Sequence, residues 1–438
     1  MNFKPYPSYK NSSINWLGDI PEHWQKVRTK DIFNYRKEEA LENDEIITAF
    51  RDGQVTLRKN RRSDGFTNSI KEHGYQHIYN GDLVIHEMDA FAGAIGVSDS
   101  SGKSTPVYTV CYSKDQNSNH HFYSHFFRTM AKIGFINSLA KGIRVRSTEF
   151  RWNESKNVYL AFPPKIEQHK IVSFLDQETT KIDKLIAKQE QLIELLEEQR
   201  KSVISHAVTK GLDPNVAMKD SGVEWLGEVP ESWFTPSIKH ILEISITDGP
   251  HETPEFVDEG IPFISAEAIS KGKINFEKKR GYITKELNAI YSKKYSPKLN
   301  DIYMVKSGAT TGKVALVETT DIFNIWSPLA VFRCHKNKIL PKFLFLVFNS
   351  SHFYDALVLN WSYGTQQNIG MGVLSNIEIP LPSLNEQSTI INYLDQENQK
   401  MDILVSKQKA LIEKLKEYRA SVISHAVTGK IDVREWVA

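Results

Sequence analysis

Cysteine is scarce: the 438 residues hold two, Cys111 and Cys334. Two thiols cannot build a disulfide framework or a cysteine-rich zinc site, so the chain reads as a protein of the reducing cytoplasm. Long apolar runs are missing as well. The longest, about Phe343–Phe348, falls far short of the roughly 18–20 residues a membrane helix needs, so no bilayer span is expected. Met1–Ser13 has scattered lysines and no apolar stretch, unlike a signal peptide. Neither sign of charge dominates: 55 Lys plus Arg face 53 Asp plus Glu, a net +2. A polyanionic partner would have to be met by local placement of cations.

Catalytic signatures are also lacking. There is no G-x-G-x-x-G fingerprint, no H-E-x-x-H and no Cys-x-x-Cys pair. The adenine-gripping [DN]-P-P-[YF] loop of amino-methyltransferases is absent, and the one Pro-Pro, in Phe162-Pro163-Pro164-Lys165, reads as a strand-to-helix junction. Gly308-Ala-Thr-Thr-Gly312-Lys313 imitates a phosphate loop but is one residue too short between its glycines, and Val314 stands where Ser or Thr must hold magnesium. Gly102-Lys103-Ser104 has Val97 where the first glycine belongs. The pair His120-His121 reads as an exposed helix start, not a metal site. A chain without catalysis, metal or cofactor of its own is expected.

What is present is a long internal repeat. Trp16-Leu17-Gly18-Asp19-Ile20-Pro21-Glu22-His23-Trp24 returns as Trp225-Leu226-Gly227-Glu228-Val229-Pro230-Glu231-Ser232-Trp233. Glu167-Gln168 returns as Glu386-Gln387, Leu175–Glu178 as Leu394–Glu397, and Ser202–Thr209 letter for letter as Ser421–Thr428. A unit of more than two hundred residues is a whole domain plus a helix, not a solenoid repeat of about 20–50. Four segments follow: modules at 1–161 and 214–379, and helical stretches at 162–213 and 380–438. Cys111 and Cys334 fall at roughly matching places and read as buried strand residues.

Residues 166–208 lack Gly and Pro and are rich in helix formers. Ile182, Leu185, Gln189, Leu192, Leu196, Gln199 and Val203 step by three and four, as a coiled-coil seam does, and Met401, Leu404, Gln408, Leu411, Leu415, Tyr418 and Val422 repeat the register. Ile186 and Ile193 widen the stripe. Two equally apolar seams in one chain should pack on each other, antiparallel if a pseudo-twofold axis relates the halves. Lys181–His206 would span roughly 39 Å at about 1.5 Å per residue, on the order of one duplex turn; an ordinary interdomain hairpin is the plainer reading. The modules mix short β-like runs, such as Asp82–Ile85, Pro106–Cys111, Ile261–Ile264, Ile302–Val305, Lys313–Val317 and Leu329–Arg333, with helix-like stretches at His120–Leu139 and Pro341–Leu359. The fold class is α+β: two pseudo-repeated modules joined by two long helices packed as an antiparallel coiled coil.

The Trp-Leu-Gly opening of each module, the proline-rich strand Phe162–Gln168 leading into a helix, Thr247–His251, Lys306–Lys313 and the repeated Ser-Val-Ile-Ser-His-Ala-Val-Thr together resemble the specificity subunits of Type I restriction-modification systems. The resemblance covers nearly the whole chain, twice, in order. It implies two target recognition domains, each reading half of a bipartite site in double-stranded DNA, with conserved helices that set the spacer. It further implies two modification (methyltransferase) subunits docked on those helices, restriction subunits joining the complex, and S-adenosylmethionine, ATP and magnesium held by those partners. The repeated Ser202–Thr209 and Ser421–Thr428 would then serve two copies of one partner; a plain helix end is the alternative. The competing reading of the whole chain is a non-catalytic coiled-coil scaffold whose modules bind protein.

Candidate DNA contacts follow from charge and turn placement. In the first module they are Lys59, Arg61 and Arg62, then Lys141, Arg144, Arg146 and Arg151, in a segment (1–161) with 22 basic against 18 acidic residues. Alternation of Arg144 and Arg146 would put both on one side of an extended strand. The second module has 17 basic against 18 acidic residues over 214–379, so bulk charge cannot supply affinity there. Its candidates are His251, Lys306, Thr310, Thr311 and Lys313 near Gly-containing turns, and Gln366, Gln367 and Asn368, whose amides suit adenine. Solvated loops and plain hairpin turns are the alternative for each.

Overall fold

In each half a four-stranded antiparallel sheet forms where β-branched and aromatic residues cluster between turn residues. The structure, a computed structural model, describes residues 3–61, 73–139, 150–360, 362–363 and 367–437. The first sheet runs Phe33–Arg36, Tyr108–Ser113, Leu83–His86, Ile95–Val97, with Val110 opposite Val84. The second runs Thr247–Asp248, Leu329–Phe332, Ile302–Val305, Val314–Leu316, with Tyr303 opposite Val331. Strand order and direction match, so the two modules share one scaffold. Leu83, Val84, Ile85 and all of Ile302–Val305 are buried, as strands covered on both faces must be.

Each sheet carries a buried carboxylate facing an arginine. Asp82 accepts from Arg36 Nε and Nη2 at 2.9 and 3.1 Å, and Asp301 from Arg333 Nε and Nη2 at 2.8 and 2.7 Å. Cys111 and Cys334 are buried, and burial raises both thiols, Cys334 to about 12. Neither is a reactive nucleophile at neutral pH.

The repeated motifs tie the modules to the helices. Trp24 and Trp233 are fully enclosed, and their indole N–H groups donate at 2.9 Å to Glu167 and Glu386. The following glutamines join helix start to module. Gln168 donates to the carbonyls of Pro163 (2.9 Å) and Asn117 (3.2 Å) and accepts from the Asn119 N–H (2.8 Å). Gln387 repeats this with Pro382 (2.9 Å), Lys338 (3.1 Å) and the Leu340 N–H (2.8 Å). A buried amide needs all of these partners, which is why the dipeptide recurs unchanged.

The central helix spans Lys165–Lys210 and the C-terminal helix Leu384–Val427. They are followed by Gly211 and Gly429 with φ of +78° and +72°, the left-handed conformation that ends a helix most cheaply in glycine. Contacts group the chain into two compact units that divide both helices: Met1–Gln189 with Ala410–Ala438, and Glu190–Lys409. In the first, Val422, Ala426 and Val427 enter the core around Trp24 and Phe122. In the second, Ile204, Ala207 and Val208 enter the core around Trp233 and Phe353. Within the first unit Lys170 donates to the Arg434 carbonyl and Arg419 binds Asp183 at 2.8 and 3.1 Å, so one stretch advances as the other recedes. Arg200 and Asp402, the sequence counterparts of that ion pair, lie 2.6 Å apart in the second unit.

The seam differs in part from the expected one. Ile182, Met401 and Val422 are buried, and Leu196, Val203 and Leu415 half-buried. Leu185 and Leu192 are 46% and 39% exposed, and Leu404 and Leu411 43% and 41%. The inward positions are one residue later: Ile186 and Ile193 are half-buried, Val405 and Ile412 buried. A seven-residue spacing with apolar residues at both the third and fourth steps allows two rotations of the helix, and periodicity alone does not choose between them. Two helix-like stretches are also broken. His120–Lys132 stops before Gly134, at φ +79°, and Pro341–Phe348 is separated from Ser351–Leu359, where the Ser350 side chain accepts from the Phe353 N–H. His120 starts its helix as expected but is half-buried, its Nε2 accepting from the Ser113 N–H at 3.0 Å.

Candidate nucleic-acid interface

In the second module a turn with a tightly confined backbone gathers cations on a buried carboxylate. The Thr247–Asp248 strand ends at Gly249, where a Cβ would lie 2.0 Å from the Ile325 carbonyl oxygen, so only glycine fits. Asp248 is thereby held fully buried. Lys294 Nζ lies 2.5 Å from its Oδ1, and His251 Nε2 and Lys306 Nζ lie 3.1 and 3.3 Å from its Oδ2. Burial would raise this carboxyl, but Lys294, Lys306 and His251 outweigh burial and hold it below its ordinary value. Two lysines on one carboxylate leave positive charge unspent at the surface, whatever the state of His251.

The Gly-rich turn joins the same place. It links Ile302–Val305 to Val314–Leu316, and Gly308 and Gly312 take φ of +99° and +88°. The Gly308 N–H donates to the Gln367 carbonyl at 3.0 Å and the Ile369 N–H to the Lys306 carbonyl at 2.9 Å. Lys306, Thr310, Lys313, Gln367 and Asn368, 62 residues apart in sequence at the extremes, thus share one patch with His251. Lys313, Gln367 and Asn368 are exposed. Thr311 is a correction: it is buried and its hydroxyl donates to the Gly308 carbonyl at 2.7 Å, so it holds the turn instead of facing a ligand. Gln366 lies outside the described residues. Lys294, in the run Tyr291–Leu299, was missed; no turn or spacing marks it out from its lysine-rich neighbours.

The first module presents a cleft of about 640 Å3 lined by Thr48, Phe50, Arg58, Arg61, His86 and Tyr108, among others. Arg61 stacks on Phe50 at 4.2 Å and binds Asp52 at 2.7 Å. Arg51 binds Asp89 at 2.9 Å. Burial lowers His86, leaving it neutral at physiological pH, and its Nδ1 accepts from the Asp89 N–H at 3.1 Å, so Nε2 carries the proton as a donor. The cleft is therefore rich in donors, the complement of guanine O6 and N7 or of phosphate. Lys59 stands nearby, bound to Glu45 at 2.5 Å, and Arg151 lies 3.8 Å from Glu87. Arg62, Lys141, Arg144 and Arg146 lie outside the described residues. Arg51 and His86 were missed; the Asp52-Gly53 turn between Ile47–Ala49 and Val55–Leu57 is a hairpin signal that would have put Arg51 at a tip.

Among the described residues no group of three or more His, Cys, Asp or Glu could hold a metal ion, and no helix is long and apolar enough to cross a membrane.

Comparison with known proteins places these modules. Residues 21–195 and 230–414 match the model of the Type I restriction modification DNA specificity domain. The Type I restriction enzyme MjaVIII specificity subunit of Methanocaldococcus jannaschii is 26% identical, covering 95% of this chain and 94% of the relative. The EcoBI specificity subunit of Escherichia coli is 23% identical, covering 97% and 90%. Among solved structures, a chain from work on complex assembly and conformational transition of the type I R-M system superposes with a TM-score of 0.63 at 16% identity, covering 93% of this chain and 98% of that one. The HsdS subunit of Thermoanaerobacter tengcongensis gives 0.51 at 15% identity, covering 94% and 98%. At such identities these likenesses speak for the fold.

Proposed function

The chain belongs to the Type I restriction modification DNA specificity domain family, whose part is sequence-specific DNA recognition without catalysis, and from that premise we propose that it reads a bipartite duplex target, one half-site per module. The observation that carries this is the pairing of one repeated scaffold with two unlike cationic sites: the Arg58–Arg61–His86 cleft and the Lys294–Lys306 patch on Asp248. Two targets read by two copies of one machine need that combination. Direct base readout falls to Arg61, His86, Gln367 and Asn368, and phosphate contact to Lys59, Arg151, Lys306 and Lys313. Arg62, Lys141, Arg144, Arg146 and Gln366, outside the described residues, join them on sequence grounds.

In this reading the two long helices pack as an antiparallel coiled coil and set the spacer; the Asp183–Arg419 and Arg200–Asp402 ion pairs support it. The outward leucines 185, 192, 404 and 411 are the surface for two modification subunits, since large exposed apolar residues on a helix favour a partner. Restriction subunits join that assembly in the cytoplasm. S-adenosylmethionine, ATP and magnesium belong to the partners.

Methylation-aware sequencing of DNA from cells carrying the chain with its modification subunits tests the proposal. The expected result is one split sequence with a fixed gap. Inserting a heptad after both Lys188 and Lys407 should lengthen the gap and leave both halves unchanged. A complex with no sequence preference, or a single undivided site, would overturn the reading and favour a protein-binding scaffold.

A further inference from the structure

We propose that the first unit holds a built phosphate site at Arg128, which takes one backbone phosphate of the bound duplex; this rests on the DNA reading above. The site is a cavity of about 420 Å3 between the His120–Lys132 helix and the last turns of the C-terminal helix, lined by Arg51, His125, Arg128, Lys132, Arg419 and Ser424 among others. No carboxylate lines it among the described residues.

Arg128 differs from the other arginines there. Arg51 is paired with Asp89 and Arg419 with Asp183. Arg128 has no ion-pair partner among the described residues, and its Nε is enclosed without a hydrogen-bond acceptor. The Nδ1 of His125, one helical turn earlier, is likewise enclosed and unpartnered. An enclosed guanidinium N–H without an acceptor is costly, and an oxyanion entering the cavity would remove that cost. Burial first, and then Arg419, lower the affinity of Arg128 for its proton, and Asp52, which acts the other way, does not offset them.

The position of Arg128 is specified by the backbone. Its guanidinium crosses Gly53 so closely that a Cβ there would lie 2.4 Å from Cζ and Nη1, and Gly53 has φ +94°. Gly53 sits in the hairpin of Ile47–Ala49 and Val55–Leu57, beside Arg51, which lines both this cavity and the donor-rich cleft. A strand held by Arg58 and Arg61 in the cleft therefore has a continuous cationic path to Arg128. A partner carboxylate fits less well. Two modification subunits would need the feature twice, whereas at the counterpart of Ser424 in the second unit Ser205 is bonded to Ser351, whose N–H donates to it at 2.8 Å.

The test uses the full chain assembled with its modification subunits and a duplex carrying the preferred site, titrated over a range of salt. One lost phosphate contact lowers the log–log salt slope by about 0.9. Arg128→Gln should show that loss with both half-sites unchanged, Gly53→Ala should resemble it, and Arg128→Lys should keep most of the slope; circular dichroism of each variant controls for folding. Inorganic phosphate is the second probe. If it raises the Tm of the wild type but not of Arg128→Gln while the slope stays unchanged, the site stands and its ligand is free phosphate. If neither slope nor Tm responds, or if Arg128→Gln only loses the modification subunits, the proposal is overturned. A wild-type complex without sequence preference would instead sink the parent reading.

Discussion

The same tryptophan meets the same glutamate in both units, yet the two glutamates carry different loads. Glu167 accepts from Trp24, from the Tyr6 hydroxyl at 2.5 Å and, through its other oxygen, faces His23 at 2.8 Å. Glu386 has the Trp233 indole as its matching contact, and Ser232 stands where His23 would be. At the helix ends, Ser205 is stapled to Ser351, while its counterpart Ser424 borders the Arg128 cavity. The contacts that attach module to helix are thus retained, and those around them diverge. A repeat can change what it binds as long as the joint between sheet and helix survives.

Removing that joint should have the largest effect. Trp24→Ala and Trp233→Ala each leave a large cavity and take an indole donor from the helix-start glutamate, and should cost about 3–5 kcal/mol to their own unit, seen as separate denaturant transitions. Equal losses would confirm a common joint; a cost under about 1 kcal/mol in either would break the comparison. Glu167→Ala should cost roughly 3 kcal/mol, because Tyr6 and Trp24 lose their acceptor, against about 1 kcal/mol for Glu386→Ala.

Acid should separate the units in the same direction. Burial first, then Arg128, His121 and Arg419, push His125 down to about 3 from an ordinary 6.5. A depressed value means the stabilisation is complete above pH 6.5 and is lost as pH falls towards 3. Asp248 is held below its ordinary 3.8, so its contribution is complete above pH 3.8 and disappears only below it. Hydrogen exchange along an acid titration should show the first unit loosening before the second, and His125→Asn should shorten the lead, since burial holds His86 and His120 below their ordinary values as well. Simultaneous loosening would count against a buried neutral His125.

The helix stripe gives a finer test. Ile412→Asp, at a buried position, should destabilise by about 2–3 kcal/mol, whereas Leu411→Asp, one residue earlier and exposed, should change stability by less than about 0.5 kcal/mol while weakening co-purification with a modification subunit. Smallest of all, Gly18→Ala and Gly227→Ala should each cost about 1 kcal/mol, since both glycines have positive φ, +67° and +64°, with open space for a methyl. Unequal costs here would mean that the two Trp-Leu-Gly turns are not equivalent.

Much of the fold was legible because its signals are local. Ile261–Ile264 and Ile302–Val305 are strands as read, and the absence of Gly and Pro from 166–208 foretold a helix that spans Lys165–Lys210. The candidate site was legible only in part. The Gly-rich turn and the Asp248–His251 loop could be singled out by composition, but Lys294 and Gln367 reach that patch from distant segments. Thr311 looked like a ligand-facing hydroxyl because a sequence does not show where a side chain's hydrogen bond goes.

By itself the sequence determined the repeat, the two helices with their glycine ends, the α+β modules and the absence of a catalytic signature, because these rest on backbone preferences and residue identity within a few positions. Tertiary structure alone decided which stripe of each helix turns inward and which cations are neutralised. Leu185 and Ile186 are equally apolar, and Arg61 and Arg128 equally charged. What separates them is what folding brings close: it shields Ile186 more than Leu185, pairs Arg61 with Asp52, and lays Arg128 across the backbone of Gly53 without an ion pair among the described residues.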